Sequence, residues 1–166
     1  GLEWGLAEEA GWAAEWLARR GMPVADWATD WLAARIEGAT SPVEVGTLWA
    51  DEGGNSIALQ GRALPDGLSA PGYLLPFLHR LADGHAGVAV LSPLGQVASV
   101  SAAGRVDFGP CWGPRSCGWT VSLTHTDALG SAAPPRPKVS LSVLECLEGL
   151  ALRTTVPESQ ASRLDA

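Results

Sequence analysis

The clearest periodicity lies at the front of the chain. Between Glu3 and Arg20, Leu6, Ala10, Ala13 and Leu17 recur at helical spacing and share one face at 100° per residue. The segment is rich in Ala, Leu and Glu. It stops at Gly21 with Pro23 just beyond, which predicts a helix over 3–20. A second helix is predicted from Asp26 to Glu37, capped by Asp26 and ended by Gly38, with Trp27, Ala28, Trp31 and Leu32 as its apolar stripe. The short link makes these helices an antiparallel pair.

Residues 43–64 read as extended. Val43, Val45, Leu48 and Trp49 precede a turn over 51–56, and Ile57 to Leu64 return as a strand. Pro65, Gly67, Pro71 and Gly72 then interrupt the chain. Leu74, Leu78 and Leu81 predict a helix over 73–83, stopped by Gly84, with Pro76 tolerated only in its first turn. Two β-prone runs, 86–91 and 96–101, flank Ser92-Pro93-Leu94-Gly95 and predict a hairpin, with 105–108 as a short edge. Trp119, Val121, Leu123 and His125 alternate with Thr120, Ser122 and Thr124, the clearest strand pattern in the chain. Three prolines mark 132–137 as a connector, and capping-box residues at Ser142 and Glu145 open a helix to about Arg153. Pro157 suits the first turn of a last helix. The expected fold is α+β: an N-terminal helical pair, a central, mainly antiparallel sheet over 43–126, and C-terminal helices over 143–165. There is no internal repeat and no strict strand–helix alternation, which argues against a doubly wound sheet.

Length and composition narrow the picture. At 166 residues, 46% apolar and 17% charged, the chain suits one globular domain. Its net charge of −7 is concentrated in residues 1–52, where ten acids face three bases, while the remainder is neutral. That excess, with a single lysine at Lys138, argues against nucleic acid and against anionic membrane, both of which favour basic clusters. No apolar run approaches the roughly 20 residues of a membrane span, and no secretory signal stands out. Three separated cysteines, Cys111, Cys117 and Cys146, are not a disulfide framework. The cytoplasm is the expected compartment.

Two segments carry a resemblance. Trp4-Gly5-Leu6-Ala7-Glu8-Glu9-Ala10-Gly11 and Arg153-Thr154-Thr155-Val156-Pro157-Glu158-Ser159-Gln160-Ala161-Ser162-Arg163 resemble an uncharacterised bacterial domain-of-unknown-function family. The likeness runs through most of the chain, with these ends as its specific part. It implies a bacterial, cytoplasmic origin. It also implies further natural sequence before Gly1 and a Gly/Ala-rich tail after Ala166. The family has no established activity, so the resemblance implies no catalytic residue.

Eight tryptophans stand against one tyrosine and two phenylalanines. Trp27, Trp31, Trp49 and Trp119 fall where helix or strand spacing points inward, so they are expected in the core. Trp12 and Trp16 lie beside the buried face of the first helix, among Glu8, Glu9, Glu15 and Arg19. Two readings stand for them: cover by another segment, or an interface in which an acidic rim around two indoles suits self-association or a basic partner. Cys111, Cys117 and His125, with Asp127, carry zinc-ligand chemistry, but the spacing is not that of a zinc finger or ribbon, and His125 shares a strand face with Trp119. No metal and no cofactor is therefore expected. A Cys–His nucleophile pair lacks any neighbour that would activate the thiol. His79 and His85 flank a helix C-terminus, where the dipole favours them.

The C-terminal segment gathers Arg153, Thr154, Glu158, Ser159 and Arg163 across a helix–helix junction. Capping and a surface Arg–Glu pair account for such residues. The N-terminus opened by Pro157, with Arg153 beside it, also suits a carboxylate or phosphate. Glycine-rich spots at 51–55 and 84–87 lack a P-loop lysine and read as turns. The leading expectation is a non-enzymatic accessory or assembly protein, a homodimer through Trp12 and Trp16 or a binder of a protein partner. The alternative is a protein or enzyme that takes an anionic small molecule at Arg153 and Arg163.

Overall fold

The computed structural model describes residues 4–52, 59–82, 87–124 and Glu145. The expected helices over 143–165 (apart from Glu145, which is helical and exposed), the 132–137 connector, the turn residues 53–56, His85 and His125 lie outside the described residues.

Helix α1 spans Trp4–Ala18 and buries the predicted face, with Ala10, Ala13 and Leu17 in the core and Leu6 packed against it. It stops where Gly21 takes φ +73° and the amides of Gly21 and Met22 bond back to Ala18 and Leu17. Helix α2 spans Val24–Ile36. Asp26 does not cap it; the N-cap is Pro23, with no side-chain bond, and Asp26 sits in the first turn, where its charge meets the positive end of the dipole. Gly38, at φ +84°, ends the helix as expected, its amide bonding to Arg35 and that of Ala39 to Ala34.

The chain departs from the expected strand at 43–51, which is helix α3, Pro42–Asp51. The same apolar residues serve the other period: Pro42, Val45, Gly46 and Trp49 recur at helical spacing and are buried, while Leu48 points outward. Ser41 caps α3 by accepting from the Glu44 amide at 3.3 Å and also accepts the Trp31 indole N–H at 2.8 Å. The front of the chain is therefore a helical trio rather than a pair, and among the described residues the sheet's first strand starts at residue 87.

The expected return strand before Leu64 is reduced to an isolated bridge, Ala63 to Thr120. Residues 61–64 nevertheless exchange backbone bonds with Trp119 and Val121, covering that sheet edge. A 3-10 turn at Pro71–Leu74 feeds α4, Leu75–Leu81, which keeps Pro76 in its first turn. Tyr73, Leu74, Leu75, Phe77 and Leu78 are almost wholly buried, because α4 is packed by α1, α3 and the sheet.

The sheet is antiparallel in the order β3-β2-β1-β4, from β1 Gly87–Ser92, β2 Gly95–Val100, β3 Val106–Phe108 and β4 Thr120–Thr124. The hairpin turns at Pro93-Leu94 as predicted, with a register shift between Val90 and Leu91. Pairing of Val88 with Val100 and Leu123, and of Val90 with Ala98 and Val121, puts one apolar face toward the helices. The class is α+β, with four helices and a four-stranded antiparallel sheet among the described residues.

Candidate functional site

A concave surface runs along α1. At 100° per residue, Gly5, Glu8, Glu9, Trp12, Trp16, Arg19 and Arg20 fall on one face about 120° wide, beside the buried stripe. Helix α4 and the turn between β2 and β3 build its walls. The Trp12 ring meets Phe77 edge-on at 5.3 Å, and the Arg80 guanidinium lies 4.4 Å above it, paired with Glu9 at 3.1 Å. The Trp16 ring lies 5.4 Å from His79, whose own ring nitrogen reaches Ala102 O at 3.1 Å.

Arg20 closes one end. Its guanidinium lies 3.5 Å over Trp16 and donates to Gly104 O at 2.5 Å and Trp16 O at 2.8 Å. Burial lowers its pKa from the ordinary arginine value, with the charge of Arg19 adding to the effect. Gly104 is at φ +78°, a left-handed conformation that favours glycine, and a Cβ there would displace this guanidinium. Arg105 bonds Asp107 at 3.0 and 3.1 Å. Between these walls lies a cavity of about 650 Å³, lined by Trp12, Glu15, Trp16, Arg19, Arg20, Met22 and residues 103–106. On the other side of Trp12 a second hollow of about 460 Å³ is lined by Gly5, Glu8, Glu9, Thr47 and Arg80. There the Thr47 hydroxyl is buried and has no hydrogen-bond partner among the described residues.

No family model, curated protein or solved structure matches this chain. Its chemistry is therefore read from its own residues. The trough offers indole rings, guanidinium groups, carboxylates and backbone carbonyls, and its charges are largely paired: Glu9 with Arg80, Glu15 with Arg19, Asp107 with Arg105.

The two readings of Trp12 and Trp16 meet here. Both rings are half-buried against α4, and both still line the cavity. The expected acidic rim is a divided one: Glu8 and Glu9 against Arg80 leave the start of α1 net negative, and Arg19 and Arg20 against Glu15 leave its end net positive. Arg20, Arg80 and the 103–106 turn were not foreseen. Trp27 and Trp112 also converge, 5.8 Å apart, beside Asp30. Trp31, Trp49 and Trp119 are buried as expected, and Trp27 is half-buried against the core. Cys111 is half-buried and Cys117 exposed, both free thiols. Among the described residues no three His, Cys, Asp or Glu side chains come together as metal ligands. Arg153, Thr154, Glu158, Ser159, Arg163 and His125 lie outside the described residues. No helix among the described residues is long and apolar enough to cross a membrane.

Proposed function

We propose that this protein is a non-enzymatic assembly protein that pairs with a second copy of itself along α1. The observation that carries this is the division of charge about the two indoles. A two-fold dimer makes the same patch face itself, so residue i meets residue j and j meets i. A two-fold axis passing the trough face at the level of Ala14 sets Trp12 of one copy against Trp16 of the other. The same axis brings the acidic end of one trough, with Glu8 and Glu9, toward the basic end of its mate, with Arg19 and Arg20. Exposed ion pairs contribute only about 0.2–1 kcal/mol each, so they fix register. The indoles supply the apolar area. The free thiols Cys111 and Cys117 suit the reducing cytoplasm.

The test uses the exposed members, Glu8 and Arg19, whose replacement leaves the core untouched. Sedimentation of the wild type should show a dimer. Glu8→Arg and Arg19→Glu should each dissociate it, and an equimolar mixture of the two variants should re-form a dimer. A monomeric wild type at the highest soluble concentration, or a mixture that stays monomeric, refutes the reading.

A second reading rests on the larger cavity. Its volume lies within the roughly 300–1,000 Å³ of small-molecule sites. Two indoles near Arg19 and Arg20 suit a planar carboxylate. A monomeric chain whose melting temperature rises with an aromatic carboxylate, an effect lost in Arg19→Ala, would favour it.

A further inference from the structure

A separate crevice lies between α2 and the loop before β4. Its aromatic end holds Trp27 and Trp112, with ring centroids 5.8 Å apart, flanked by Pro71 and Pro114. Phe108 supports both rings, 4.4 Å from Trp112 and 6.0 Å from Trp27. This part is a hollow of about 290 Å³. It adjoins a second of about 340 Å³ that shares Asp30 and Pro114 and adds Glu37, Ser69 and Arg115. Trp27, Asp30, Ala34 and Glu37 follow one stripe of α2. The Asp30 and Glu37 carboxylates make no hydrogen bond or ion pair among the described residues, and neither do the indole N–H groups of Trp27 and Trp112. Arg115 belongs to the same wall. Two carboxylates against one guanidinium leave that end net negative.

The walls are held in place before any ligand arrives. Ser116 is buried; its hydroxyl accepts from the Leu68 amide at 3.0 Å and donates to Pro65 O at 2.5 Å. Ser69 bridges to Arg115, and the Ala70 amide bonds Pro114 O at 3.2 Å. Ala70 itself is held at φ +49°, ψ +54° directly before Pro71, a left-handed conformation that costs a non-glycine residue on the order of 1 kcal/mol. The ladder to 114–116 keeps it there and fixes the floor against the loop.

We propose that this crevice docks an extended, proline-rich segment of a partner protein that carries a basic residue. The occupant follows from charge and geometry. Rings of Trp and Pro accept the ridges of a polyproline II helix, which is pre-ordered and leaves its carbonyls open to indole N–H donors. From Trp27 to Glu37 the α2 axis runs about 15 Å, and five polyproline II residues span about the same length. A ligand with prolines on Trp27 and Trp112 therefore brings an Arg or Lys three to five residues away onto Asp30 and Glu37. This surface shares no residue with the α1 trough, so the two proposals fail independently.

The probe is a synthetic Ala-Pro-Pro-Arg-Pro-Lys peptide, the sequence this chain also carries at 133–138. It is titrated into the full chain by calorimetry, with indole N–H signals followed by NMR. Binding is expected to shift the Trp27 and Trp112 signals and to leave Trp12 and Trp16 in place. Asp30→Asn with Glu37→Gln should weaken it about threefold to thirtyfold while leaving the circular dichroism spectrum unchanged. An all-alanine peptide keeping the Arg and Lys should not bind. Absence of binding to the wild type overturns the proposal. Binding that appears only when Pro134, Pro135 and Pro137 are replaced by Ser also overturns it, by assigning the crevice to the chain's own segment rather than a partner.

Discussion

Gly46 offers the sharpest test of the packing that supports the trough. It lies inside α3, where glycine is the least favourable residue after proline, so Ala should gain about 1 kcal/mol from helix propensity alone. The structure opposes that gain. An ideal Cβ at Gly46 would fall within 2.8 Å of three ring atoms of Phe77, and Phe77 is fully buried with Trp12 edge-on against it. The ring cannot swing aside as a flexible chain end would, so α3 and α4 must separate. Overpacking of this kind costs about 1–3 kcal/mol. Three close ring atoms put Gly46→Ala at the upper end, for a net loss of about 2 kcal/mol, or about 4–8 °C in melting temperature. Gly11 is the control: it is exposed in the middle of α1, and a Cβ there meets nothing within 4 Å. Gly11→Ala should raise stability by about 0.5–1 kcal/mol. Scanning calorimetry of both variants decides the matter. If Gly46→Ala stabilises alongside Gly11→Ala, the close approach of α3 to Phe77 is refuted.

Three further outcomes follow from buried polar groups. Ser41→Ala removes the α3 cap and strands the buried Trp31 N–H, so urea unfolding should show a loss of about 2–4 kcal/mol; a loss below about 0.5 kcal/mol would refute the dual role. Ser116→Ala leaves the Leu68 amide without its acceptor and should cost about 1–3 kcal/mol. It should also speed amide exchange at Leu68 and Ala70, and unchanged exchange would count against the ladder. Tyr73 is the sole tyrosine, and burial raises its pKa well above the ordinary value near 10. The folded-state pKa is raised, so its contribution is complete below pH 10 and is lost as pH climbs from there toward the folded value. Phenolate absorbance should therefore appear together with alkaline unfolding, and Tyr73→Phe should flatten that limb; a free titration near pH 10 in the folded protein would refute it.

The elements legible in the sequence share a physical property: each satisfies one period over enough residues to exclude the other. Leu6 to Leu17 does so for α1, Leu74 to Leu81 for α4, and Trp119 to Leu123 for β4. Residues 43–51 do not. Val43 and Val45 alternate like a strand, while Pro42, Val45, Gly46 and Trp49 recur like a helix, and a run of ten residues is too short for periodicity to arbitrate. The deciding signal was punctuation, Ser41-Pro42-Val43-Glu44, a cap with proline at the first helical position and glutamate at the third. Asp26 shows the converse: a residue of capping type caps only where the chain turns at it, and here the turn is made by Pro23.

The site was legible only in its local part. Trp12 and Trp16 stand out because a helix projection sets two indoles among charges, and that projection needs no tertiary knowledge. What turns the face into a trough comes from far along the chain. Arg80 reaches Glu9 across 71 residues, and Arg20 reaches Gly104 across 84. Each contact is made by the end of an element whose own pattern is ordinary: an arginine at a helix C-terminus, a glycine in a strand turn. Such residues carry no signal beyond capping and turning until the fold brings them together. Trp27 and Trp112 obey the same rule, since one reads as a core residue of α2 and the other as a loop aromatic. Their convergence beside Asp30 depends on Ser116 tying 114–116 to 67–70, a junction that no periodicity announces. Side chains on one element are placed by its period, whereas a cavity between elements is placed by the buried polar residues that lock them together. Among the described residues Ser41 and Ser116 do this from the core, and the half-buried Arg20 does it at the trough.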